Sequence, residues 1–204
     1  MRKKIILGIV ILVVLAAVGG AVYFDKNYVI LEEVAYHGIH KPRIVRINAT
    51  NISTKYDSGI EVFYPVKCTP KIKKCTNLER VAVIVYTDTN LEYLSEMNNL
   101  EYIMICYRDG YCGRLETLPE LPNLRKVTLS ASPDIDSAFI ISDENKYNFS
   151  NIEFLELRLF DSIDFNSLNY FENLHTLEFW NIDNDLTEEQ VEELQARGIN
   201  VEIV

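Results

Sequence analysis

The segment DFNSLNYFENLHTLEFW, Asp164 to Trp180, sets the pattern for the whole chain. In it Phe165, Leu168 and Phe171 recur at every third residue, and Leu177 and Phe179 follow with one residue between them. The first spacing suits a tightly curved path. The second suits a strand whose alternate side chains share one face. The strand half returns as NLERVAV at 77–83, NLEYIMI at 99–105, NLRKVTL at 123–129 and NIEFLEL at 151–157. A unit that recurs in this way cannot bury its apolar side alone; it buries it against the next copy.

The asparagines Asn77, Asn99, Asn123, Asn151 and Asn173 mark the phase, with steps of 22, 24, 28 and 22 residues. The approach half recurs as Leu91, Leu94 and Met97, and as Leu115, Leu118 and Leu121. Before Asn151 it fails, because Asp143 and Lys146 stand where apolar residues belong. The long step predicts a loop over 132–148 that bulges from the convex side. With this period and these strand starts, the chain resembles the leucine-rich repeat family over roughly residues 77–183. The resemblance implies an α/β-type solenoid with a curved parallel sheet of about seven strands and an irregular convex side. It also implies recognition of a protein or peptide on the concave face, without catalysis.

Arg2, Lys3 and Lys4 precede IILGIVILVVLAAVGGAVYF at 5–24, and Asp25 follows it. A helix of this length reaches across a hydrocarbon core of ~30 Å. The leading cations put the amino terminus in the cytoplasm, so the expected location is the cell membrane, single-pass, with the carboxyl-terminal domain outside. A cleaved leader, with Gly19 and Ala21 near the cut, is the competing reading. The expected organisation is a cytoplasmic tail at 1–4, a transmembrane helix or signal anchor at 5–24, and a stalk and amino-terminal cap at 25–76. Repeats follow at 77–183 and a capping repeat at 184–204. In that last unit Thr187 and Gln190 have capping-box spacing, Glu188 and Glu189 suit the first turn, and Arg197-Gly198 ends the helix.

The net charge of −10 disfavours nucleic acid as a partner. Cys68, Cys75, Cys106 and Cys112 all lie beyond the apolar stretch. Their even count in an exported chain suggests disulfides, and three pairings are possible. The phase puts Cys75 in the slot of Met97 and Leu121, whereas Cys106 belongs to the strand-bearing side. Local bridges Cys68–Cys75 and Cys106–Cys112 are therefore expected, with four reduced thiols as the alternative.

Alternate strand residues form three outward columns. The central one is Arg46, Ala82, Met104, Thr128, Glu156, Glu178 and Glu202. Its neighbours are Arg80, Tyr102, Lys126, Phe154, Thr176 and Ile84, Cys106, Ser130, Arg158, Trp180. Tyr102, Met104, Phe154, Glu156, Arg158, Glu178 and Trp180 are the candidate partner-binding residues, since aromatics beside charges mark binding surfaces. The stacked acids Glu156 and Glu178 favour a basic or amide-rich segment. No nucleophile–base pair, phosphate-cradling glycine loop or zinc spacing occurs; His37-x-x-His40 has no carboxylate at zincin spacing, and His175 reads as an ordinary surface residue. The expectation is a non-enzyme without cofactor, metal or evident small-molecule substrate. It is a binding module for a protein or peptide, possibly basic, held to a membrane through residues 5–24. The alternatives are a scaffold subunit bound through its apolar helix, or a secreted inhibitor if the leader is cleaved.

Overall fold

The computed structural model describes the backbone of residues 2–35, 39–52, 54–57, 60–63, 65–86, 89–108, 118–132, 137–141, 149–180 and 186–204. Side chains are described for these except 2–11, 35, 39, 54–57 and 60–63. Helix α1 (Arg2–Asn27) leads directly into β1 (Tyr28–Ala35), and the Phe24 and Tyr28 rings stack at 5.2 Å across the junction. Strand β1 pairs antiparallel with β2 (Ile39–Arg46). A separate hairpin, β3 (Thr54–Asp57) and β4 (Ile60–Phe63), follows. Then come β5 (Val66–Lys67), β6 (Arg80–Val85), β7 (Tyr102–Tyr107), β8 (Lys126–Ser130), β9 (Ala138–Phe139), β10 (Phe154–Arg158), β11 (Ser162–Ile163) and β12 (Thr176–Trp180). Helix α2 (Glu188–Ala196) and β13 (Asn200–Ile203) complete the order.

The main sheet has nine strands in the order β13-β12-β10-β8-β7-β6-β5-β1-β2. From β5 to β13 every neighbouring pair is parallel, whereas β1 is antiparallel to both of its neighbours. The expected solenoid, with a purely parallel sheet of about seven strands behind a transmembrane helix, is thereby corrected to a mixed sheet with few helices. Two causes are visible in the amino-terminal region. Residues 28–35 and 39–46, read within the stalk and amino-terminal cap, instead form the two strands of an antiparallel hairpin. Arg46 lies opposite Tyr28 in that hairpin and so outside the central column. In addition, Ile47 N–H donates to Asn27 O at 3.0 Å, which sets the alternation of the hairpin and leaves Pro42 with the backbone groups facing away from β1. A residue without an N–H is tolerated there, and it blunts that sheet edge.

The membrane expectation is also corrected: among the described residues no helix is long and apolar enough to cross a membrane. Side chains of α1 are described from Leu12 onward. Leu12, Val13, Val14, Leu15 and Val18 are exposed along it.

The recurring Asn-Leu figure has a hydrogen-bonded cause. Leu78, Leu100, Leu124, Ile152 and Leu174 each donate their N–H to the carbonyl three residues earlier, of Cys75, Met97, Leu121, Phe149 and Phe171. Each turn feeds a strand whose first two N–H groups converge on one carbonyl of the preceding strand's start. Glu101 and Tyr102 bind Glu79 O, Arg125 and Lys126 bind Glu101 O, Glu153 and Phe154 bind Arg125 O, and His175 and Thr176 bind Glu153 O. The asparagines tie the turns together from outside. Asn123 Nδ2 donates to Asn98 O at 2.6 Å, Asn151 to Pro122 O at 3.4 Å and Asn173 to Ser150 O at 2.5 Å. Each of these carbonyls lies one residue before the previous marker asparagine.

One continuous core lies under this ladder, from Val29 to Ile199. The segment 132–148 does more than bulge. Its β9 pairs parallel with β11, and Phe139 and Ile141 enter the core. Phe139 meets the rings of Phe160 at 6.1 Å and Phe171 at 6.4 Å, and Phe149 meets Phe171 at 5.4 Å. The added length of the 28-residue step therefore supplies core aromatics; residues 133–136 and 142–148 lie outside the described set. At the far end Thr187 Oγ1 accepts from Gln190 N–H at 3.2 Å, and Gln190 Oε1 accepts from Thr187 N–H at 2.9 Å. Gly198, at φ 83°, closes α2 where a side chain would be strained.

Two substitutions separate these contributions. Phe171→Ala should cost about 3–5 kcal/mol by opening a cavity among packed rings. Asn173→Ala should cost about 1 kcal/mol, the net worth of one hydrogen bond. Urea unfolding measures both, and equal losses would contradict the assignment of core and outer tie.

Candidate functional site

The register of the parallel ladder builds three straight columns on the sheet face away from the main core. Arg80, Tyr102, Lys126, Phe154 and Thr176 are successive partners. So are Ala82, Met104, Thr128, Glu156, Glu178 and Glu202. The third column is Ile84, Cys106, Ser130, Arg158 and Trp180. The candidate partner-binding residues thus share one face, but they differ sharply in access. Tyr102 and Met104 are each 5 % exposed and form a small second cluster with Ala82, against which Cys106 packs. Glu156 is 4 % exposed. These three were expected at the surface and are buried. Phe154, Arg158 and Glu178 are half-buried, and Trp180 is 36 % exposed.

The carboxylates that favoured a basic partner are already engaged. Thr128 Oγ1 donates to Glu156 Oε2 at 2.7 Å, and Arg158 Nε donates to Glu156 Oε1 at 2.5 Å, with Nη2 on the same oxygen. The Tyr102 and Thr128 hydroxyls lie 3.2 Å apart, which extends the chain of contacts over β7, β8 and β10. Trp180 Nε1 donates to Glu178 Oε1 at 2.6 Å. A buried carboxylate with a guanidinium and a hydroxyl on it meets the ordinary requirement for keeping charge out of water. Burial raises the Tyr102 phenol above its ordinary value; the Thr128 hydrogen bond opposes this, and the nearby Glu156 adds to it. Tyr102 therefore stays a neutral hydrogen-bonding group.

Cations lie flat on the aromatics of the same columns. Arg80 and Lys126 sit 5.1 and 5.6 Å from the Tyr102 ring centre, Lys126 lies 3.7 Å from that of Phe154, and Arg158 is 5.2 Å from that of Trp180. Spacing had indicated which residues share a column. It did not indicate these pairings, because they depend on which side chain lies over which. The alternation Arg-Tyr-Lys-Phe along one column was the available signal.

Leu159, directly after Arg158, adopts φ 60°. A branched residue rarely tolerates that region, and the bonds Ala131 N–H to Arg158 O and Leu159 N–H to Trp180 O hold it there.

The expected Cys68–Cys75 bridge is not formed. Cys68, Cys75 and Cys106 are free thiols, and Cys112, the expected partner of Cys106, lies outside the described residues. Cys75 is fully buried in the slot that Met97 and Leu121 fill in other turns, while Cys68 turns toward Asn90 O at 3.7 Å. Burial pushes the Cys68 thiol up to about 12 and those of Cys75 and Cys106 up to about 11. Among the described residues, no group of three or more His, Cys, Asp or Glu is placed to hold a metal ion. No protein-family model and no curated protein matches the chain.

Two measurements test this geometry. Glu156→Ala should cost about 2–3 kcal/mol in urea unfolding, since it removes the carboxylate that the half-buried Arg158 and the buried Thr128 hydroxyl both bind. Glu178→Ala should cost less than about 1 kcal/mol, because Glu178 is closer to solvent. The thiols predict an alkaline limit. Each holds its proton more tightly folded than unfolded, so the stability it adds is complete below about pH 9 and is lost as pH rises toward 11–12. Unfolding midpoints should hold steady from neutral pH to pH 9 and then fall, and iodoacetamide at neutral pH should label Cys68 and Cys75 only after urea is added. Labelling that fails in urea without reductant would show them bridged.

Proposed function

We propose that this chain is a non-catalytic binding module that takes a protein or peptide across the column-bearing face of its sheet. The observation that carries the reading is Trp180, the only tryptophan, which stands exposed with Arg158 over its ring. Aromatic and Arg side chains are over-represented where interfaces gain their energy, and nothing in the fold requires a tryptophan at this position. The recurring Asn-Leu figure supports membership of the leucine-rich repeat family as part of the same reading.

A photo-crosslinking residue placed at Trp180 tests the face. It should trap a polypeptide from the native cell. The double variant Trp180→Ala, Glu178→Ala, with the photo-crosslinking residue moved to Thr176, should remain folded, because neither side chain reaches the main core, and should lose capture. Capture that persists in the double variant but is lost on substitution of Ile140, exposed on the segment 132–148, would move the functional surface to the other side.

A further inference from the structure

Resting on the binding face just proposed, we infer that its occupant is an acidic extended segment, seated on Arg80 and Lys126 and running across the strands. The argument begins with charge. On this face the two candidate acids are satisfied from within: Glu156 by Thr128 and Arg158, and Glu178 by the Trp180 indole. Arg80 and Lys126 are in the opposite state. Among the described residues, neither has a carboxylate oxygen within 4.0 Å, although the chain carries 30 Asp and Glu against 20 Lys and Arg. Other described cations, among them Lys41, Arg46, Lys71 and Arg108, also lack one, so it is a shared seat that sets Arg80 and Lys126 apart.

Their placement adds a second argument. Both lie over the one Tyr102 ring, from the strands on either side of it. Two like charges are thus held about 10 Å apart, two strand spacings, with the ring quadrupole between them. The ring holds each cation in place yet cannot neutralise it. An anion bridging the two completes the arrangement. In an extended chain, residues three apart lie about 10 Å from one another, so carboxylates at every third position match the pair. Crossing the strands from Arg80 toward Thr176, the same segment would pass Phe154, which gives it apolar contact beyond the charge.

Glu79, Glu101 and Glu153 stand at the strand starts, one residue before this column. They confine the acid-accepting strip to one rung, and with the net charge of −10 they oppose long polyanions. A short acidic peptide fits these limits better than nucleic acid does.

The test uses the full chain and the fluorescence anisotropy of end-labelled probes. The probes are a peptide with a glutamate at every third position, the same peptide with lysine in place of glutamate, and a single-stranded oligonucleotide. The glutamate peptide should gain anisotropy saturably, weaken as salt is added, and lose at least about tenfold in affinity with Arg80→Glu or Lys126→Glu. Each variant is checked for an unchanged unfolding midpoint. Lysine-peptide binding that is lost with Glu178→Lys would overturn the acidic assignment and leave the binding face standing. Oligonucleotide binding in place of peptide binding would overturn the assignment to a polypeptide. No binding by any probe, together with lost crosslinking at Trp180, would overturn both readings; no binding with crosslinking intact would overturn the acidic segment alone.

Discussion

Strands β7, β8, β10 and β12 each hang on one repeated contact: two successive N–H groups converging on a single carbonyl of the preceding strand's start. The contact fixes where each strand begins, and a slip of one residue would turn its core side chains to the opposite face. Turn shape enters through the three-residue bond before it, and the apolar slot of Cys75, Met97, Leu121, Phe149 and Phe171 secures that turn from below. Burial of this slot supplies the driving force, while the hydrogen bonds select one register among those that burial alone would permit. The outward asparagines contribute less energy, but they link consecutive turns at a fixed offset.

A locked register gives the opposite face its chemistry. Because Tyr102, Thr128, Glu156 and Arg158 stand in adjacent rungs, a buried acid finds its hydroxyl and guanidinium without any loop rearranging. The same alignment lays Arg80, Lys126 and Arg158 on aromatic rings. The face consequently divides. Toward β6 and β7 it is closed over Ala82, Tyr102 and Met104, and toward β12 it opens at Trp180. Rigid presentation of an aromatic and fixed cations reduces the ordering cost that a partner meets on binding.

The repeat was legible because its two periods, three residues and then two, are written in bulky apolar residues. The columns followed from that phase, and the ladder reproduces them from Arg80 to Trp180. Burial within the columns was not legible. Strand alternation tells which face Tyr102 and Met104 occupy and says nothing about whether that face is covered. The amino-terminal hairpin was missed for a similar reason. YVILEEVA alternates weakly, and Pro42 argues against a central strand while permitting an edge one. The insertion before Asn151 was read from two charged residues, so the core roles of Phe139 and Ile141 went unseen. Cys75 shows how two signals can conflict: even cysteine count suggested a bridge, but its slot in the turn already required a buried apolar side chain.

The division of the sheet face into a closed and an open part is the claim on which the functional reading rests, and hydroxyl-radical footprinting of the free chain measures it most directly. Trp180 should be oxidised rapidly, Phe154 more slowly, and Tyr102 and Met104 only after unfolding, although methionine is intrinsically among the most reactive side chains. Oxidation of Met104 and Tyr102 in the folded chain as fast as that of Trp180 would contradict the account.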